Sequence, residues 1–113
     1  MNTLASAAPL QKKISLLLRE LSIPVHRLGF KFLRVATLVY LQNEIQTFSK
    51  ELYPAVMEYF HLSNWHVVEN AIREAIADGW EHGNRTVWLK YFPGIAKAPS
   101  NAVFIATIAE HVK

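Results

Sequence analysis

The chain has 113 residues, a length typical of one domain, and 51% of them are hydrophobic, which excludes a disordered chain. Cysteine is absent, so disulfides and thiolate metal sites are excluded and a reducing compartment is expected. The net charge of +3 is unevenly spread: basic residues outnumber acidic ones six to one over 12–34, whereas acidic residues outnumber basic ones seven to two over 44–81. Such asymmetry bears on partners rather than on fold.

The apolar runs are all shorter than the roughly 20 residues of a membrane-spanning helix, and the N-terminus lacks the charge order of a secretory signal. The sequence therefore predicts a cytoplasmic protein that does not enter a membrane. We expect residues 1–8 to form a flexible tail and residues 9–113 to form a single helical domain.

Helical periodicity dominates the chain, and no stretch shows sustained alternation of period two. The first predicted helix lies between Pro9 and Pro24 and has one apolar stripe: Leu10, Ile14, Leu17, Leu18 and Leu21. Gly29 then predicts a break before FKFLRVATLVYLQNEI, a helix that is apolar on nearly all sides and is therefore expected at the centre of the fold. A third helix is predicted over 48–60, opened or kinked by Pro54.

Three further helices are predicted in the second half. The segment WHVVENAIREAIADGW follows a polar turn in which Ser63 or Asn64 is suited to capping, and its apolar positions recur every four residues: Val68, Ile72, Ile76 and Trp80. Small residues at 71, 75 and 79 favour close approach of another helix, and Gly83 with Asn84 predicts the C-terminus. A short helix over 86–92 and a last one from Ser100, with Phe104, Ile108 and Val112 buried, complete an all-α domain of about six short helices.

No motif in the sequence predicts an enzyme. No serine lies in a G-x-S-x-G context, and the four glycines are too scattered for a phosphate-binding loop. The five histidines show no H-E-x-x-H pattern and are expected at the surface or as caps. We therefore expect no catalytic residue, no metal, no cofactor and no small-molecule substrate.

The third and fourth predicted helices have the outline of a helix-turn-helix. On the exposed side of the fourth, residues recur at intervals of three or four and form one strip: His66, Asn70, Arg73 and Ala77. Amide and guanidinium groups pair with adenine and guanine edges, and a carboxylate such as that of Glu69 accepts from cytosine. The pattern predicts base contacts by His66, Glu69, Asn70 and Arg73, although an ordinary solvent-exposed face has the same appearance.

Phosphate contacts supply most of the sequence-independent affinity for DNA, yet the fourth helix is acidic. Between 66 and 82 one arginine stands against four carboxylates. Residues outside the strip must therefore hold the DNA backbone, and the candidates are Lys50, Asn64, Arg85, Lys90 and Lys97.

Four segments have distinctive motifs: IPVHRLGFKFLR (23–34), KELYPAVMEYF (50–60), VENAIREAIADGWEHGN (68–84) and KAPSNAVFIATIAEHV (97–112). In this order, and with nearly the same spacing, they resemble the C-terminal effector domains of the sporulation master response regulators, the stage-zero sporulation protein A family. The resemblance covers about residues 10–112. It implies a six-helix DNA-binding domain, with a helix-turn-helix formed by the third and fourth helices, that dimerises on tandem sites.

The resemblance also bears on the bases that are read. The family's recognition helix carries an Arg-Val-Glu-Arg pattern, with which Val67, Val68, Glu69 and Asn70 align, so that only the glutamate keeps its family role and Asn70 favours adenine where the family favours guanine. We expect a transcription regulator, without its own receiver domain, that binds double-stranded DNA as a homodimer or together with a related regulator.

An alternative of another class stays open, because both recognition arginines are replaced. A relative that does not bind DNA would modulate a full-length regulator through protein contacts. Trp65, Trp88 and Phe92, if exposed, would suit such an interface; packing in the core is the other explanation for them.

Overall fold

Six α-helices form the regular structure of residues 8–113, the part of the chain that the computed structural model describes. They are α1 (Ala8–Glu20), α2 (Leu28–Gln42), α3 (Tyr53–Tyr59), α4 (Trp65–His82), α5 (Arg85–Tyr91) and α6 (Asn101–Val112), and a π-helical turn, Phe48–Leu52, leads directly into α3. The expected all-α fold is confirmed. Of the expected tail, Ala8 is the first residue of α1 and residues 1–7 lie outside the described part. No helix within residues 8–113 is both long and apolar enough to cross a bilayer.

Helix α2 occupies the centre of the fold, as its apolar sequence predicts. It packs against α1, α3, α4 and α6. Seven of its residues between positions 30 and 38 are buried: Phe30, Phe32, Leu33, Val35, Ala36, Thr37 and Leu38. Each large side chain among them stabilises the fold by about 1.5–3 kcal/mol relative to an exposed position. Helix α4 therefore packs against a central helix whose side chains are largely buried.

The predicted break at Gly29 is wrong, because α2 begins at Leu28 and Gly29 is its second residue. The glycine is needed for close approach between helices rather than for a turn. A Cβ atom at position 29 would lie 2.5 Å from Cβ of Ala75 and closer still to the carbonyl oxygen of Ala71. The small residues 71 and 75 of α4 thus receive a neighbouring helix, as predicted.

The single third helix predicted over 48–60 is divided into the π-helical turn and α3. Pro54 lies in the first turn of α3, where it lacks the N–H that would continue the helical ladder. The start of the π-helical turn is held by Glu51, whose Oε1 accepts from the backbone N–H of Gln46 at 2.9 Å and of Thr47 at 2.8 Å. Pro54 therefore opens α3, one of the two expected roles.

The C-terminus of α4 lies at Gly83, as predicted, but for a different reason. Gly83 has φ −83° and ψ 171°, an extended conformation rather than the left-handed one usual after a helix. A Cβ atom there would lie 2.8 Å from Nε1 of Trp88, which donates to the carbonyl oxygen of Gly79 at 3.1 Å. Close contact with the Gly79 carbonyl oxygen, which is nearer still, and with the Trp88 indole is what requires glycine.

Trp88 and Phe92 belong to the hydrophobic core, with exposed fractions of 0% and 6%. Phe92 stacks on Phe104 of α6, with ring centroids 5.6 Å apart, and the tilted Trp88 ring lies 5.8 Å from the same residue. The alternative based on an exposed aromatic interface therefore loses two of its three aromatic residues. The N-cap predicted for α6 is confirmed, since Oγ of Ser100 accepts from the N–H of Val103 at 3.2 Å.

Candidate nucleic-acid interface

A tight turn joins α3 to α4. His61 has φ +57°, the left-handed conformation that commonly ends a helix, and the N–H of Leu62 donates to the carbonyl oxygen of Met57 at 2.9 Å. Asn64 then caps α4, because its Oδ1 accepts from the N–H of His66 at 2.8 Å. Trp65 is the first residue of α4 and not part of the turn. The arrangement is consistent with the predicted helix-turn-helix.

The two sides of α4 differ as the sequence predicts. Val68 and Ile72 are fully buried and Ile76 is 1% exposed. On the other side, the strip of His66, Asn70, Arg73 and Ala77 is exposed, and Glu69 beside it is half-buried. This strip, called the recognition strip below, is not covered by any other helix of the described chain.

Side chains of the recognition strip are held in place by hydrogen bonds and stacking. Nη2 of Arg73 donates to Oδ1 of Asn70 at 2.7 Å. The imidazole of His66 stacks on the indole of Trp65, with ring centroids 3.9 Å apart and 21° between the planes. Trp65 in turn stacks on Tyr53 of α3 at 5.7 Å and 10°. The first turn of α4 is therefore fixed to α3 through an aromatic column.

A surface groove lies beside the recognition strip, between α4 and the segment that leads into α6. Residues from three parts of the chain line it, among them Ser49, Glu69, Arg73 and Lys97. Of the residues predicted to contact phosphates, Lys97 is the one that lines this groove, and Lys50 follows Ser49 on the π-helical turn. The cationic side chain of Lys97 thus lies along one side of the strip.

One residue of the groove was not found by sequence reasoning. Nδ2 of Asn101, at the start of α6, donates to Oη of Tyr53 and to the carbonyl oxygen of Glu69, both at 3.1 Å. Burial raises the pKa of the Tyr53 hydroxyl, whose oxygen accepts this hydrogen bond. Asn101 ties α3, α4 and α6 together at the groove, across sequence separations that leave no local signal.

The other residues predicted to contact phosphates have different surroundings. Oδ1 of Asn64 caps α4, so its amide NH₂ group is the part of the side chain that would donate to a phosphate. The guanidinium of Arg85 lies 3.5 Å from the centroid of the Trp80 ring and donates to the Trp80 carbonyl oxygen, at the C-terminal end of α4. Nζ of Lys90 is 3.8 Å from Oε2 of Glu20 on α1, so the structure does not bring Lys90 to the groove.

The acidity of α4 is partly compensated within the fold. Oδ2 of Asp78 pairs with Nη2 of Arg27 from the loop between α1 and α2, at 3.2 Å. This pairing removes one of the four carboxylates from the charge that a polyanion would meet. Val67, a position outside the predicted site, is 45% exposed next to His66, where its methyl groups suit contact with thymine.

Residues 14–112 match the family described as "Sporulation initiation factor Spo0A C terminal". The match extends over nearly the whole chain and includes the groove, the turn and all of α4. This is a family of DNA-binding domains of transcription regulators and not a family of enzymes. The chain therefore belongs to the family of Spo0A C-terminal domains, the DNA-binding effector domains of sporulation regulators.

Proposed function

We propose that residues 9–113 act as one effector-type domain that binds double-stranded DNA sequence-specifically, with α4 lying in the major groove. The observation that carries the proposal is the recognition strip: a polar, exposed row on a helix whose opposite side is buried in the core. A helix placed in this way presents side chains to base edges without losing its own packing.

The dimensions of α4 suit a few base pairs. His66 and Arg73 are seven residues apart, which corresponds to about 10 Å along a helix axis. That length equals the rise of about three base pairs. The major groove, about 12 Å wide, admits one helix. We propose that His66, Glu69, Asn70 and Arg73 contact bases across this short interval.

The phosphate contacts belong to residues on either side of α4. Lys97 lines the groove and Lys50 lies next to it, whereas Asn64 and Arg85 are at opposite ends of α4. We propose these four as backbone contacts, which set the position of the domain while the recognition strip selects the sequence. The three cations among them predict a slope of log affinity against log salt of about −3.

The experiment is a titration of a fluorescently labelled duplex with the protein at salt concentrations from about 50 to about 200 mM. Lys97→Ala should weaken binding about equally on all sequences and reduce the salt slope by about 1. Lys113→Ala is the matched control, since it removes the same charge from the end of α6, where Lys113 pairs with Glu110. It should leave the slope unchanged.

Arg73→Ala should weaken binding by about 1–3 kcal/mol on the preferred site and relax the preference at one base pair. Arg19→Ala on α1 serves as its control, because it removes an exposed arginine from a helix that does not line the groove. Undetectable binding of any duplex at low salt, by a protein with a normal helical circular dichroism spectrum, would overturn the proposed function.

We further propose that two copies occupy tandem sites, or that one copy pairs with a related regulator on them. The basic segment 12–34 and the acidic segment 44–81 give each copy charges of both signs that could pair between copies, which supports a head-to-tail arrangement. Sedimentation of the protein on duplexes with one and two sites should give one and two bound copies. A single bound copy on both duplexes would contradict this part.

A further inference from the structure

The contact with Asn64, the N-cap of α4, determines which ring nitrogen of His66 donates a hydrogen bond and which accepts one. Oδ1 of Asn64 accepts from the backbone N–H of His66 at 2.8 Å, which identifies that atom as the amide oxygen. Nδ1 of His66 lies 3.0 Å from the same oxygen. Since this oxygen only accepts, Nδ1 must carry the proton of their hydrogen bond. In the neutral imidazole Nε2 is then a bare acceptor.

The orientation of this acceptor is also fixed. The ring stacks on Trp65, which stacks on Tyr53, so the imidazole is held by one hydrogen bond and one aromatic contact. The side chain is exposed, and Nε2 has no hydrogen-bond partner among residues 8–113. His66 lies in the first turn of α4, the part of a recognition helix that contacts base edges.

The next positions of the recognition strip have the opposite polarity. Nη2 of Arg73 donates to Oδ1 of Asn70 at 2.7 Å, which uses one of the two lone pairs of that oxygen. Most of the groups that remain, the Asn70 NH₂ and the other guanidinium N–H bonds, are donors. Bidentate pairing of Asn70 with adenine would need its Oδ1, which already accepts from Arg73, so the geometry favours a partner with acceptors for this pair of residues.

We propose that His66 selects a base with an exocyclic amine, adenine or cytosine, and that the Asn70–Arg73 pair selects guanine one helical turn further along. In the major groove adenine N6 and cytosine N4 are donors, whereas guanine presents the two acceptors N7 and O6. The acceptor of His66, followed by the donors of Asn70 and Arg73, therefore matches an amine-bearing base followed by guanine. This inference rests on the proposed function and names the base chemistry that it recognises.

The test is selection of bound duplexes from a random pool at pH 8. The wild-type motif should contain a position that prefers A or C close to a position that prefers G. His66→Lys replaces the acceptor by donors and should change the first preference to G or T, by about fivefold or more in relative affinity, without moving the guanine position. Arg73→Ala should remove the guanine preference and leave the first position unchanged.

Two controls make the outcomes separable. Lys113→Ala should give the wild-type motif, and His66→Gln, which has both an acceptor and donors, should only broaden the first position. An identical motif for wild type and His66→Lys would overturn this inference while leaving DNA binding intact. The same holds for a wild-type motif with guanine at the position that His66→Lys alters. Absence of any enriched motif with a folded protein would overturn sequence-specific binding and this inference together.

Discussion

Replacing Gly29 by alanine tests how tightly α2 holds the recognition helix. The added Cβ atom would lie 2.5 Å from Cβ of Ala75, whereas ordinary contacts of such atoms begin near 3.4 Å. The other obstacle is the carbonyl oxygen of Ala71, which belongs to the backbone of α4. No change of side-chain rotamer relieves either contact, so the two helices must separate by about 1 Å.

The expected loss of stability is the balance of two effects. Overpacking of a core contact costs about 1–3 kcal/mol. Alanine in place of a helical glycine returns about 0.5–1 kcal/mol through the unfolded chain. The free energy of unfolding should therefore fall by about 1–2 kcal/mol, which corresponds to a decrease in Tm of roughly 4–10 °C for a domain of this size.

Urea unfolding followed by tryptophan fluorescence measures this change, with an m-value equal to that of wild type. Ala75→Gly serves as the partner in a double-mutant cycle, because it removes one of the two obstacles. The pair Gly29→Ala with Ala75→Gly should recover only part of the loss, since the Ala71 carbonyl oxygen stays in place. A Gly29→Ala protein at least as stable as wild type would refute the close approach of α2 and α4.

Three further predictions concern the turn and the groove. Backbone hydrogen bonds from Thr47 and Gln46 hold the pKa of Glu51 below its usual value. The contribution of Glu51 to the free energy of unfolding is therefore present above about pH 4.5 and is lost as the pH falls through the lowered pKa. Glu51→Gln should flatten the acid side of a curve of stability against pH measured by urea unfolding. Asn64→Ala should lower the free energy of unfolding by about 1 kcal/mol through loss of the cap, whereas Asn64→Asp should not, and equal unfolding midpoints for both would contradict the capping role. Asn101→Ala should cost about 1 kcal/mol, because it removes the part-buried hydrogen bonds that join α6 to the Glu69 carbonyl oxygen of α4 and to the Tyr53 hydroxyl. Amide exchange near Glu69 should rise, and unchanged exchange would argue against the bridge.

Much of the fold follows from the sequence because helical periodicity is a local signal. The spacing of apolar residues alone predicts the buried sides of α1 and α4. In the structure Ile14 and Leu18 of α1 and Val68 and Ile72 of α4 are fully buried. The cap Ser100 is predicted directly from the sequence, whereas the sequence leaves Ser63 and Asn64 as two candidates for the cap of α4, and the structure identifies Asn64.

The role of Gly29 cannot be predicted from the sequence alone. Glycine serves both turns and close contacts between helices, and only the position of Ala71 and Ala75 on another helix distinguishes the two roles. The bridge made by Asn101 joins residues far apart in the sequence. Lys90 was predicted from its charge, but its pairing with Glu20 depends on how α5 packs beside α1. Contacts of this kind require the tertiary structure.

The central claim is that DNA meets the protein at the recognition strip and the adjoining groove. Its most direct test is an NMR titration of isotopically labelled protein with a duplex, in which the perturbed backbone amides identify the contact surface. The account predicts the largest shifts in α4 between His66 and Arg73 and in the loop around Lys97. Shifts confined to the other cleft, where α1 and Tyr91 meet the end of α6, would contradict it.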